Sequence, residues 1–168
     1  MIDFSIEPEF QEKLDWMHSF VREECEAMDL LFPGAAYDPG HAKAKARLEP
    51  LQAQVKGRGL WACHLGPHLG GPGYGQVKLA LMNEILGRSS WAPTVFGTAA
   101  PDTGNAEILA MFGTDEQKAK YLEPLMAGDI VSSFSMTEAQ GGADPMEFTC
   151  SARIDGNEWV IEGEKWFT

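Results

Sequence analysis

The sequence predicts an α+β chain: an N-terminal all-α helical bundle domain over residues 1–128, followed by the first strands of a β domain over 129–168. Three observations predict it. Apolar residues recur at intervals of three or four as far as about residue 128, the spacing of one stripe on an amphipathic helix. Beyond that point come short runs rich in β-branched and aromatic residues, the composition of strands. Between two of those runs, Asp155-Gly156-Asn157 carries the turn chemistry of a hairpin.

Taken in order, Phe10, Leu14, Met17, Val21, Cys25 and Met28 form the stripe of a long first helix, which Pro33-Gly34 should end. After an Asp38-Pro39-Gly40 turn, Leu48, Leu51 and Val55 keep the same spacing, so a second helix is expected over 41–57. Residues 66–75 combine two prolines with five glycines and must form a loop. Helical spacing resumes at Leu79, Met82, Ile85 and Leu86, and again at Ile108, Leu109 and Phe112. Thr114-Asp115-Glu116-Gln117 reads as a capping box, with Tyr121, Leu122, Leu125 and Met126 as the apolar stripe behind it and Gly128 as the stop. Strands are expected over 130–137, 148–154 and 159–166. So few strands without a partner sheet would expose both an edge and a face, which suggests a piece of something longer.

Composition narrows the function. The 168 residues are 44% hydrophobic and 23% charged, an ordinary globular balance. A formal net charge of −12 works against a grip on nucleic acid or an anionic membrane surface. Residues 1–40 carry two basic and ten acidic side chains, 41–128 nine and seven, and 129–168 two and eight, so an anionic ligand meets least repulsion in the middle stretch. Cys25, Cys63 and Cys150 are far apart in sequence, with no secretory framework and no C-x-x-C pair. The start, Met1-Ile2-Asp3-Phe4, has no basic leader, and no apolar run reaches the roughly 18 residues of a membrane span. The expectation is a soluble cytoplasmic protein.

Familiar catalytic motifs find little support. Cys63, His64 and His68 share a loop but lack a fourth ligand for zinc, and packing beside Trp61 explains them. The glycines of 70–75 precede no Gly-Lys-Ser/Thr and do not follow G-x-G-x-x-G, so a sharp turn explains them better than a phosphate loop. There is no Gly-x-Ser-x-Gly elbow and no His-Glu-x-x-His helix. The informative stretch is 134–144, Phe-Ser-Met-Thr-Glu-Ala-Gln-Gly-Gly-Ala-Asp, where a strand ends in Thr137-Glu138 and passes into a glycine-rich turn. Exposed main-chain N–H groups and a hydroxyl at a sheet edge can grip a flat heterocycle with several acceptors. Trp166-Phe167-Thr168 repeats an aromatic face and a hydroxyl about thirty residues on. A plain β core with exposed threonines accounts for the same spacing.

Met136-Thr137-Glu138 followed by Gly141-Gly142-Ala143-Asp144 resembles the acyl-CoA dehydrogenase signature, and Glu164-Lys165-Trp166-Phe167-Thr168 resembles that family's second flavin-contacting strand. The run from Phe112 to Leu125 is similar to the helix leading into the family's β domain, and Leu69-Gly70-Gly71-Pro72-Gly73-Tyr74-Gly75 to one of its loops. The resemblance implies a β-barrel-like middle domain, of which only the first strands are here, and a C-terminal helical domain that is absent from this chain. It also implies FAD as cofactor and oxidation of the Cα–Cβ bond of an acyl-CoA to a trans-2-enoyl-CoA. The family's α-proton base, a glutamate, belongs to that C-terminal domain, so no catalytic residue is expected within this chain and the chain alone should be inactive.

Carried over by position, Thr137 and the Met136–Thr137 main chain would meet the pyrimidine edge of the flavin. Trp166 would pack on the ring, Thr168 would stand near N5, and Phe134 would lie close to flavin and thioester, although core packing also explains either aromatic. Gly142 and Ala143 would border the substrate; Ala143 replaces the usual serine, and Ala139-Gln140 the usual Pro-Gly. Phe96 and Ala100, within Val95–Asn105, correspond loosely to the lining of an acyl cavity, with helix packing as an equal account. Implied partners are an acyl-CoA substrate, an electron-transfer flavoprotein as acceptor, and copies of the chain in a homodimer or homotetramer, with no nucleic acid. Rival readings are a flavin oxidase or monooxygenase of the same fold, such as an acyl-CoA oxidase or nitroalkane oxidase, and a non-catalytic helical interaction module.

Overall fold

A computed structural model describes residues 5–36, 38 and 40–168. Met1-Ile2-Asp3-Phe4 and the centre of the Asp38-Pro39-Gly40 turn lie outside the described residues. The chain divides into two compact units, Met1–Val131 and Ser132–Thr168.

The first unit is helical. Helix α1 (Pro8–Phe20) starts with proline at its first position, where the missing N–H has no intrahelical partner in any case. It continues through a π-helical turn, Val21–Cys25, into α2 (Glu26–Leu31). Every residue of the expected stripe is buried, and Phe20 joins it. Helix α3 (Ala42–Gly57) is capped by His41, whose Nδ1 accepts from the Ala44 amide at 3.2 Å. Then follow α4 (Gln76–Leu86), α5 (Ala92–Val95), α6 (Asp102–Phe112), α7 (Asp115–Gln117), a π-helical turn Lys118–Leu122, and α8 (Glu123–Ala127). The Thr114–Gln117 capping box forms in both directions, and Gly128 closes α8 with φ +85°.

Met17, Val21, Val55, Met82, Val95 and Phe96 are wholly buried at the centre of this unit. Trp16 stacks on Phe20, and Phe20 meets Phe96 edge-on at 5.9 Å. The end of α8 is tied back to the α3 region. The Trp61 indole N–H donates to the Met126 carbonyl at 2.6 Å, and the Lys56 ammonium donates to the Ala127 carbonyl at 2.7 Å while lying over the Trp61 ring. The glycine-rich loop folds on itself: the N–H groups of Gly70, Gly71 and Gly73 donate to the carbonyls of Pro67, Gly66 and Leu65. Those amides are therefore spent internally and cannot cradle a phosphate. No helix among the described residues is long and apolar enough to cross a membrane.

The second unit holds one antiparallel hairpin, β1 (Ser151–Asp155) and β2 (Glu158–Glu162), turning at Gly156 with Ile154 opposite Trp159. Both strands are shorter than their sequence patterns suggest, and the 130–137 run forms none. The causes are local. The Thr149 and Cys150 amides donate to the Glu138 carboxylate instead of to a neighbouring strand, so β1 starts late. Gly163 ends β2 at φ +145°, where an added Cβ would stand 2.7 Å from the Cys150 Cα. Among the described residues the 130–137 run joins no ladder, although a main-chain bond from the Trp166 N–H to the Thr137 carbonyl at 2.8 Å reaches its end.

Two substitutions test this account. Met17→Ala should lower unfolding free energy by about 2–5 kcal/mol, read from urea denaturation followed by circular dichroism. Thr114→Ala should cost about 1 kcal/mol and Thr114→Ser much less, because only the alanine removes the capping oxygen.

Candidate functional site

In the second unit a single carboxylate organises the surrounding chain. Glu138 is 3% exposed, buried in a segment that is otherwise largely open to solvent. Its Oε2 accepts from the Thr149 amide at 2.7 Å, from the Thr149 hydroxyl at 3.1 Å and from the Gln140 side-chain amide. Its Oε1 accepts from the Cys150 amide at 3.0 Å and from the Lys165 ammonium at 2.8 Å. Every lone-pair direction of the carboxylate is thereby engaged, which is what a buried charge requires. The Lys165 ammonium and these donors hold the Glu138 carboxyl down at about 2, from an ordinary 4.5.

The same ammonium reaches further. It donates to the Met136 carbonyl at 2.9 Å and lies 4.3 Å from the centre of the Phe148 ring. Together with the bond from the Trp166 N–H to the Thr137 carbonyl, this sets segment 136–138 beside 165–166. A tight turn follows: the amides and carbonyls of Glu138 and Gly141 exchange hydrogen bonds, and a Cβ at Gly141 would stand 2.9 Å from the Glu147 Cβ. Gln140, part of the Ala139-Gln140 departure from the resembled pattern, is absorbed here, donating also to the Thr149 hydroxyl and the Glu147 carbonyl.

The residues singled out from sequence fall as follows. Thr137 and Trp166 are joined through their main chains, and Met136 through Lys165. Gly142 lies against Thr137, where an added Cβ would stand 3.5 Å from the threonine methyl group. Phe134 is 53% exposed and Trp166 44%, with the Trp166 indole donating to Glu164 and meeting Phe167 edge-on. Ala143 and Thr168 are exposed, with Thr168 two residues past Trp166. Phe96 and Ala100 belong to the helical unit, Phe96 wholly buried and Ala100 exposed.

Sequence reasoning assigned no role to Glu138, Gln140, Thr149 or Lys165. The available signal was a Glu and a Lys each adjoining a threonine or tryptophan already singled out.

The donor set suits a flat, acceptor-rich ring. Among the described residues no hydrogen bond engages the Thr137 amide or hydroxyl. Because the Met136–Thr137 peptide is trans, its N–H points away from the carbonyl that Lys165 holds. Half-exposed aromatic surface is present at Trp166 in one of the two segments and at Phe134, two residues before the other. These residues fit a flavin. Among the described residues no three His, Cys, Asp or Glu side chains gather as metal ligands would. Cys25 and Cys63 are buried in the helical unit, and burial pushes their thiols up to about 12 and about 11.

Acid should loosen this unit in a defined window. A carboxyl held low when folded adds stability that is complete above about 4.5 and disappears as pH falls through about 2. Protection of the Thr149 and Cys150 amides against exchange, taken relative to their intrinsic rates, should fall across that window, and Glu138→Gln should remove the acid step.

Comparison with known proteins agrees in kind. The family model described as acyl-CoA dehydrogenase, N-terminal domain, matches residues 8–129. Acyl-CoA dehydrogenase family member 11 of Gallus gallus is 43% identical over 122 residues, covering 72% of this chain and 15% of that protein. The probable acyl-CoA dehydrogenase FadE2 of Mycobacterium tuberculosis is 41% identical over 135 residues, 79% of this chain and 32% of that one. A solved structure from Mycobacterium abscessus, described as "a putative acyl-CoA dehydrogenase", superposes with a TM-score of 0.83 at 33% identity, covering 96% of this chain and 42% of that one. The chain thus spans less than half the length of each of these relatives. With most of the helical unit inside the family model, the chain belongs to the acyl-CoA dehydrogenase family.

Proposed function

We propose that this chain supplies the flavin-facing segments of a FAD-dependent acyl-CoA dehydrogenase that converts an acyl-CoA thioester to its trans-2-enoyl-CoA. The observation that carries the reading is the joined pair of segments 136–138 and 165–166, in which the Thr137 amide and hydroxyl have no hydrogen-bond partner among the described residues and the Trp166 side chain is 44% exposed. FAD would supply the hydride-accepting chemistry.

The residues of this chain would hold and orient. The Thr137 N–H and hydroxyl would donate to the acceptor edge of the ring, favouring the electron-rich reduced form. Trp166 and Phe134 would cover apolar ring surface and keep water from it. Thr168 would offer a hydroxyl to the neighbouring edge. Gly142, small and set against Thr137, would let the thioester end of the substrate approach closely, with the exposed Ala143 following it in sequence. The reading includes an α-proton base from outside this chain, an electron-transfer flavoprotein as acceptor, a homodimeric or homotetrameric assembly and a cytoplasmic location.

The test uses the full-length protein. It should purify yellow, and an acyl-CoA should bleach it anaerobically. Thr168→Ala should slow flavin reduction or weaken FAD retention about five-fold, the worth of one hydrogen bond of about 1 kcal/mol. Trp166→Ala should act in the same direction. A protein that stays colourless with added FAD, or variants with unchanged flavin content and reduction rate, would remove the reading.

A further inference from the structure

We infer that Lys165, aligned by Glu138, is a positioning residue that polarises the Met136–Thr137 peptide and so sets how strongly the Thr137 N–H binds an electron-rich ring. The inference rests on the flavin reading above and adds a determinant of redox balance that touches no ring atom.

The argument starts from where the ammonium sits. Lys165 is about three-quarters buried, and its Nζ is shared between the Glu138 Oε1 at 2.8 Å and the Met136 carbonyl at 2.9 Å. Packing over Phe148 leaves it little freedom to leave. Glu138 cannot follow it outward, because its other contacts tie it to the Thr149 and Cys150 amides. The carboxylate is thus a fixed anchor and the lysine a charge held at one place on the main chain.

A cation on a peptide oxygen draws electron density along the amide, which makes the N–H at the other end a better donor. Here that N–H belongs to Thr137 and has no acceptor among the described residues. The positive end of the Lys165–Glu138 ion pair therefore acts through one peptide unit on the Thr137 N–H. In a partly buried setting solvent screens this contact weakly, so the polarisation is felt at the carbonyl the ammonium touches and at the amide it is bonded to. Gln140 completes the arrangement from the other side by donating to Oε2, so Oε1 remains with Lys165 and the Cys150 amide.

The measurement is the midpoint potential of flavin bound to the full-length protein, with FAD content and the flavin absorbance spectrum read alongside. Lys165→Met should shift the reduced-to-oxidised ratio at fixed potential at least tenfold toward oxidised, about 30 mV lower for a two-electron couple. Lys165→Gln, which keeps a neutral donor, should shift in the same direction, and it carries the test should the methionine variant not fold. Lys165→Arg, which keeps the charge, should stay near wild type. In a Glu138→Gln background, replacing Lys165 should shift the potential less than half as far, because the anchor is already gone. A yellow wild type whose Met or Gln variants keep its potential and spectrum overturns the positioning role and leaves the flavin reading standing. A wild type that holds no FAD overturns both.

Discussion

One buried carboxylate decides the shape of the second unit. A two-stranded hairpin is at best marginal in water, and this one, with Ile154, Trp159 and Ile161 exposed, has little burial to draw on. Glu138 supplies what the sheet does not. By accepting from the amides at 149 and 150 it fixes where β1 can begin, and by pairing with Lys165 it draws in the chain that follows β2. Hydrogen bonds to a charged acceptor are roughly twice as strong as neutral ones, so the segment is ordered by polar contacts where a larger domain would use packing.

The helical unit is built the other way. Its stability resides in a continuous apolar centre from α1 to α5, and polar contacts do local work at ends and turns. The Trp61 and Lys56 bonds to the last carbonyls of α8 are of this kind: they satisfy groups that a helix C-terminus leaves without partners. Gly128 can then turn the chain out of the helix in a left-handed conformation that other residues rarely adopt.

This contrast explains what could be read in advance. The stripe Phe10 to Met28 was legible because burial on a helix follows a period fixed by backbone geometry, and each of those residues is buried. The capping box was legible because its partners lie three residues apart. Thr137 and Trp166 stand out through residue chemistry and a resembled motif, yet the bond between them links residues 29 apart in sequence and follows no period. Glu138 and Lys165 were hidden for a plainer reason. A charged residue in a strand-like run reads as solvent-facing, and only three-dimensional neighbours show that five donor contacts have taken the place of water. The expected strand at 130–137 failed for a related reason, since β structure depends on a partner that composition does not name.

The burial of two of the three cysteines has a practical side. Cys25 and Cys63 are shut away with their thiols held protonated, whereas Cys150 is half-buried, with its side chain against Gly163. A gentle alkylating label should therefore find one sulfur first, and that sulfur sits beside an amide that grips the central carboxylate. The native chain carries its own reporter: the speed of labelling at Cys150 follows the opening of this small unit without an engineered probe.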